Sequence, residues 1–254
     1  MQTAGTNARF NTLRGIAADA LGNLYVADNL NNRIRKIDPS GIVSTLAGSG
    51  LAGSTDGPGT SASFNRPHGV ALDTAGNVYV TEDSSFMIRK ITPSGMVSTF
   101  AGGNKGFSDG SGINAQFISP IALAIDGQGN LYVTDENRIR LITPGGIVST
   151  FTGNANSGAD DGTLTSATFN TPWGIKIDAS GNLYVVDYGN NKIRLITPDG
   201  TVSTLAGNGT AGSTDGTGAV ASFNTPTGIA IDIAGNIYVS DYANHKIRKV
   251  IPDN

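Results

Sequence analysis

The chain has 254 residues, of which 35 are glycine and only 15% are charged, with a formal charge of −3. That balance gives no global attraction to nucleic acid or an anionic membrane, and the absence of cysteine excludes disulfides and thiolate metal sites. No apolar run approaches the roughly 20 residues of a membrane span, and the segment Met1 to Gly5 lacks the basic and hydrophobic regions of a signal peptide.

Taken in order, the chain reads as a repeat. A phenylalanine recurs at Phe10, Phe64, Phe117, Phe169 and Phe223, with spacings of 54, 53, 52 and 54 residues. A period that constant marks a repeat array. In the first unit Gly15–Asp19 reads as a short strand and Leu24–Ala27 as a second. Arg33–Ile37 gives a third and Ile42–Leu46 a fourth. Four strands in series make an antiparallel meander, and that unit repeated around an axis is a β-propeller blade.

The turns are specified locally. Asp-x-x-Gly-Asn recurs after the first strand, with Asp19, Asp73, Asp126, Asp178 and Asp232 each three residues before a glycine that can supply φ > 0. Pro39, Pro93, Pro144 and Pro198 open the turn between the third and fourth strands, closed by Gly41, Gly95, Gly146 and Gly200. Tyr25, Tyr79, Tyr132, Tyr184 and Tyr238 and the five opening phenylalanines are expected to form packing layers between blades. The expected fold is all-β, one propeller domain over residues 1–254 with five four-stranded blades.

The pattern Pro-x-Gly-Ile/Val-Ala-x-Asp-x-x-Gly-Asn-x-Tyr-Val-x-Asp-x-x-Asn-x-Arg/Lys-Ile-Arg resembles the NHL repeat, over essentially all of residues 10–254. Copy three departs at Ile121-Ala122 and in its shortened Asp135–Arg138 connection; copy two carries Glu82-Asp83 and Met87. The resemblance implies a propeller. It also raises two functions known in that family, a metal held by inner-strand histidines and single-stranded RNA held on a basic face.

Residues 223–254 make a unit of 32 residues against 54 for the one before it. The fifth blade is expected either to lack its outer strand or to be closed by the N-terminus, with Gln2–Gly5 aligned to Thr204–Gly207. An unclosed blade exposes a strand edge and suggests a homo-oligomer.

Loops Ser49–Ser63, Gly103–Gln116, Asn154–Thr168 and Asn208–Ser222 carry an Asp-Gly step at Asp56, Asp109, Asp161 and Asp215. Loops on a rigid scaffold often bind ligands, but Asp-Gly repeated with the unit reads first as turn chemistry. The residue before the inner strand's glycine position differs in every copy, as Arg14, His68, Ile121, Trp173 and Thr227. These are the candidate ligand-binding residues at the channel mouth, a mixed polar and aromatic set suited to small ligands. Only two histidines are present, His68 and His245, so a histidine-rich zinc site is not expected. No cofactor is expected, with a channel calcium or other ion left open.

Twelve of the 17 lysines and arginines lie on third strands. Arg35, Arg89, Arg140, Arg194 and Arg248 stand in register with Asp28, Glu82, Asp135, Asp187 and Asp241, which implies a structural acid–arginine pair in each blade rather than a nucleic-acid surface. No Gly-x-Ser-x-Gly elbow, His-Glu-x-x-His or phosphate loop is present, and no catalytic residue is assigned. The reading is a binding scaffold for a protein, glycan or small molecule at the loop-rich face, exported and bacterial on composition. The alternatives are a hydrolase or lyase using Arg14 and His68, and a partial or engineered array.

Overall fold

The Asp-x-x-Gly-Asn-x-Tyr segment shows why the first hairpin of each unit forms. Asp19 Oδ1 accepts the backbone N–H groups of Leu21 and Asn23 at 3.0 and 2.8 Å, while Oδ2 accepts the Asn23 amide at 2.8 Å and the Tyr25 hydroxyl at 3.2 Å. The same carboxylate network recurs at Asp178 and Asp232. Gly22 takes φ +82°, a left-handed value that costs glycine nothing. These bonds hold the Asp19, Asp178 and Asp232 carboxyls below the ordinary carboxylate range, the Asn23, Asn182 and Asn236 side chains being prominent donors.

The computed structural model describes residues 3–4 and 7–252. The first blade is built from Leu13–Ala18, Leu24–Asp28, Arg33–Ile37 and Ile42–Ala47. The second comprises Pro67–Leu72, Val78–Glu82, Met87–Ile91 and Met96–Gly102; the third Pro120–Ile125, Leu131–Asp135, Arg138–Ile142 and Ile147–Gly153. The fourth comprises Pro172–Ile177, Leu183–Asp187, Lys192–Ile196 and Thr201–Ala206, and the fifth Pro226–Ile231, Ile237–Asp241 and Lys246–Val250. Strand order within each sheet follows the chain, and among the described residues the other regular elements are short 3-10 turns. The fold is a five-bladed all-β propeller.

Each of the first four outer strands carries a further two-residue strand that precedes its own blade: Thr3–Ala4, Gly57–Pro58, Gly110–Ser111 and Gly162–Thr163. Thr3 pairs with Val43 and Ala4 with Ile42, as Gly57 pairs with Val97 and Pro58 with Met96. This corrects the expectation that the N-terminus closes the fifth blade. Thr3–Ala4 takes the place on blade one that a long loop takes on its neighbours, because its distance from Phe10 matches that of Gly57–Pro58 from Phe64. The last sheet has three strands among the described residues.

The chain packs as two compact units, Met1–Asn130 with Ile142–Ser149, and Leu131–Leu141 with Thr150–Asn254. In the first unit Tyr25, Ile34, Ala47, Phe64, Val78 and Val80 form a core between blades one and two. In the second, Tyr184, Val186, Ile193, Ala206, Phe223 and Val239 do the same between blades four and five. Phe64 and Phe223 are 0% and 1% exposed, so each repeat-opening phenylalanine belongs to the layer shared with the preceding blade.

Candidate functional site

The inner strands do not run straight into their hairpins. In blades one, two, four and five the register slips between Leu13 and Ile16, Pro67 and Val70, Pro172 and Ile175, and Pro226 and Ile229. A bulge of this kind re-aims the side chain it carries, and the bulged residues are Arg14, His68, Trp173 and Thr227. Two freed N–H groups are taken up by side chains: Gly69 donates to Thr81 Oγ1 at 2.7 Å and Gly228 to Ser240 Oγ at 2.6 Å. The following glycine is required by close approach. A Cβ on Gly69 would lie 2.8 Å from the Ile121 carbonyl oxygen, and one on Gly174 would lie 2.5 Å from that of Thr227.

In the first unit the bulge places His68 within the field of Arg14 and Asp83. His68 is buried while Arg14 is exposed. Burial, reinforced by the Arg14 charge, pushes the imidazole down to about 4, against the opposing pull of Asp83 and a hydrogen bond to the Ile121 backbone. His68 is therefore neutral at pH 7. Ile121 contributes its carbonyl, which also accepts the Thr81 hydroxyl at 2.7 Å.

In the second unit Trp173 packs on Tyr188, with ring centroids 4.7 Å apart and planes tilted by 57°. Both rings are partly exposed. The Thr134 hydroxyl donates to the Trp173 carbonyl at 2.9 Å and fixes the backbone below the ring. Thr227 shares a 3.0 Å hydrogen bond with Ser240.

Sequence reasoning missed the partner of each bulged residue. Asp83 and Tyr188 follow the blade acids Glu82 and Asp187, and Tyr242, 67% exposed, follows Asp241. The equivalent Asn29 is buried and donates to the Pro67 carbonyl at 3.0 Å. Variation at this second column was legible in the alignment of copies. Lys176 was missed as well; it stands where the other copies have alanine, and burial pulls its amine below the ordinary lysine range.

The five acid–arginine distances are 3.2 Å for Asp28–Arg35, 2.7 Å for Glu82–Arg89, 3.1 Å for Asp135–Arg140, 2.9 Å for Asp187–Arg194 and 3.0 Å for Asp241–Arg248. The Asp-Gly carboxylates join them, beyond turn chemistry: Arg89 reaches Asp56 at 2.7 Å, Arg194 reaches Asp161 at 2.7 Å and Arg248 reaches Asp215 at 2.5 Å. Each guanidinium also lies over the phenylalanine of its own repeat, with Arg89 5.1 Å from the Phe64 centroid and Arg194 4.9 Å from that of Phe169. These third-strand arginines are structural. Arg9, Arg33 and Arg35 line a groove of about 600 Å³ beside the outer strand of blade one, with Thr45, Ser49 and Thr60.

Among the described residues no group of three or more His, Asp or Glu is placed to hold a metal ion, and no helix is long and apolar enough to cross a membrane. The His245 backbone is left-handed at φ 53° in the last hairpin, on a different element from His68.

The family profile described as NHL repeat matches residues 10–37, 64–85, 169–194 and 223–250. The chain belongs to the NHL-repeat family. Copy three, where Ile121-Ala122 and the short Asp135–Arg138 connection depart from the pattern, lies outside the matched segments. Human teneurin-4 is 31% identical over 224 residues, 75% of this chain and 8% of the teneurin. NHL repeat-containing protein 2 of Bos taurus is 29% identical over 287 residues, 96% of this chain and 39% of that protein. This NHL chain therefore spans well under half the length of either relative. Among solved structures, an auxiliary nutrient binding protein of Bacteroides ovatus superposes with a TM-score of 0.75 at 19% identity, covering 98% of this chain and 61% of that one. A virginiamycin B lyase of Staphylococcus aureus gives 0.63 at 18% identity, covering 96% and 71%. At those identities the likeness is one of fold.

Proposed function

We propose that this NHL propeller is a non-catalytic binding module whose ligand is read by the bulged inner-strand residues and the residues that follow the blade acids. The observation that carries the reading is the partly exposed Trp173–Tyr188 pair, anchored from below by Thr134. An aromatic pair held on a rigid strand offers a flat apolar face with a polar tip, suited to the face of a sugar ring or an apolar ring of a small molecule or peptide. The surrounding positions repeat from copy to copy; these do not. Residues that merely build blades would repeat with the blades.

A nutrient-binding structural neighbour is consistent with this reading, as is an exported bacterial setting. The catalytic alternative would use His68 with Arg14 and Asp83, and a lyase shares the fold. A base held down to about 4 is weak at neutral pH, so binding is favoured.

Trp173 is the only tryptophan, so its fluorescence reports directly on the site. Titration with a panel of oligosaccharides, aromatic small molecules and peptides is expected to find at least one that shifts the emission and shields Trp173 from acrylamide. Trp173→Ala, with an unchanged far-ultraviolet spectrum, is expected to lose binding of that compound by calorimetry. Equal affinity in the variant would place the ligand elsewhere.

A further inference from the structure

The third strand of blade five, Lys246–Val250, is the edge of a three-stranded sheet, whereas the corresponding strand in each of the other four blades is covered by an outer strand. In blade four that cover pairs Ile193 with Ala206, Arg194 with Thr204, Leu195 with Ser203 and Ile196 with Val202. In blade one it pairs Arg35 with Thr45, Lys36 with Ser44 and Ile37 with Val43. The covering sequence is nearly constant: Val-Ser-Thr followed by Leu or Phe and then a small residue, at Val43, Val97, Val148 and Val202.

Blade five keeps the receiving half of this pairing. Ile247 is 72% exposed, while Ile34, Ile88, Ile139 and Ile193 at the same position are 0% exposed. Asp215 provides a second, independent sign. In blade two the equivalent Asp56 accepts the Thr99 N–H at 3.0 Å and the Thr99 hydroxyl at 3.2 Å, both from the outer strand. In blade four Asp161 accepts the Thr204 hydroxyl at 3.0 Å. Asp215 holds Arg248 as its counterparts hold Arg89 and Arg194, but its side chain is 92% exposed against 48% and 49%. The carboxylate that anchors an outer-strand threonine is thus in place without one among the described residues.

Lysines often guard a strand edge against pairing. Here Lys249 matches Lys36 and Lys90, which sit on interior strands paired on both sides. The lysine comes with the repeat. An apolar Ile247 beside it is the opposite of edge protection.

We propose that Lys246–Val250 is a docking edge for an extended segment of a separate partner polypeptide, added antiparallel as a fourth strand and recognised by a Val-Ser-Thr-hydrophobic-small pattern. Main-chain hydrogen bonds supply the general attraction, and Asp215 selects threonine at the third position. The valine enters beside Val250 and the small residue beside Ile247, in the register of blade four.

The probe is a fluorescein-labelled peptide with the sequence of residues 201–207, Thr-Val-Ser-Thr-Leu-Ala-Gly, titrated into the full chain at a concentration where sedimentation shows monomer. Saturable anisotropy is expected, with slowed hydrogen exchange confined to amides 246–250. The same peptide with its central threonine, the counterpart of Thr204, replaced by valine is expected to bind about tenfold more weakly, the scale of one lost charge-assisted hydrogen bond. This leaves the protein untouched, so failure to fold cannot mimic the result. Asp215→Asn should show a parallel loss. No saturable binding up to millimolar peptide would overturn the proposal, as would equal affinity for the valine peptide. Protection of amides 246–250 in the free chain that grows with its own concentration would also overturn it, because the edge would then belong to a second copy.

Discussion

A buried arginine is costly unless every direction of its charge is answered, and Arg194 shows how the repeat answers it. Its Nη1 donates to Asp187 at 2.9 Å and the Thr168 carbonyl at 2.9 Å, its Nη2 to Asp161 at 2.7 Å and the Asp160 carbonyl at 2.8 Å, and its plane lies over Phe169. Only Nε lacks a partner. The first half of this arrangement was legible from the register of Asp187 and Arg194. The second half was not, because an Asp-Gly step 33 residues upstream looks like a turn until the fold brings it beside the guanidinium. His68 is the residue-scale case that gives a measurable pH effect. Its folded value, about 4, lies below the ordinary 6.5 because burial disfavours the cation. Between those values the unfolded chain binds the proton and the folded chain does not, so stability is full above pH 6.5 and falls as the pH drops toward 4. The loss attributable to this group is roughly 3 kcal/mol at one decade per 1.36 kcal/mol. Urea denaturation at pH 7 and pH 4, compared with His68→Gln, measures it; equal pH dependence in the two proteins would mean that His68 is not held neutral.

At the scale of elements, hairpins and inter-blade staples differ in how much the sequence reveals. The Asp178–Asn182–Tyr184 hairpin closes within seven residues, so its pattern can be read directly. The inner-strand bulges could not be read this way, since the same Pro-x-Gly letters would fit a regular strand. The staples were also hidden. Asn191, left-handed at φ 52°, ends one hairpin, and its Oδ1 accepts the N–H of Thr225, itself left-handed at φ 48°, at 2.8 Å. Asn32 does the same for Arg66 and Asn137 for Thr171, both at 3.0 Å. A conformation unfavourable for threonine is thus held by the preceding blade. Asn191→Gly preserves the left-handed backbone and removes the acceptor, so it isolates the staple. The expected cost is about 1 kcal/mol, read from the urea midpoint at unchanged slope, with Asn191→Asp retaining most of the stability. A glycine variant as stable as the parent would show that the hydrogen bond contributes nothing.

For the whole molecule, a repeat protein's stability is approximately the sum of its units and their nearest-neighbour interfaces. The constant spacing of Phe10, Phe64, Phe117, Phe169 and Phe223 made that architecture legible. Which outer edge each short segment joins depends on pairing between residues tens of positions apart, so Thr3–Ala4 was misplaced at the sequence level. One consequence is that the same letter carries different weight in different copies. Ile193 and Ile247 occupy the same place in the repeat, yet one is 0% and the other 72% exposed. Ile193→Lys puts an unpaired ammonium into the layer with Tyr184, Ala206 and Phe223, and a loss of about 4 kcal/mol or more, or failure to fold, is expected. Ile247→Lys adds a charge to a solvated edge and is expected to shift stability by no more than about 0.5 kcal/mol. Thermal and urea denaturation of both variants at low protein concentration tests the contrast. A large loss in Ile247→Lys under those conditions would mean that the edge is covered in the free chain, and the view of blade five as an open receiving unit would fail with it.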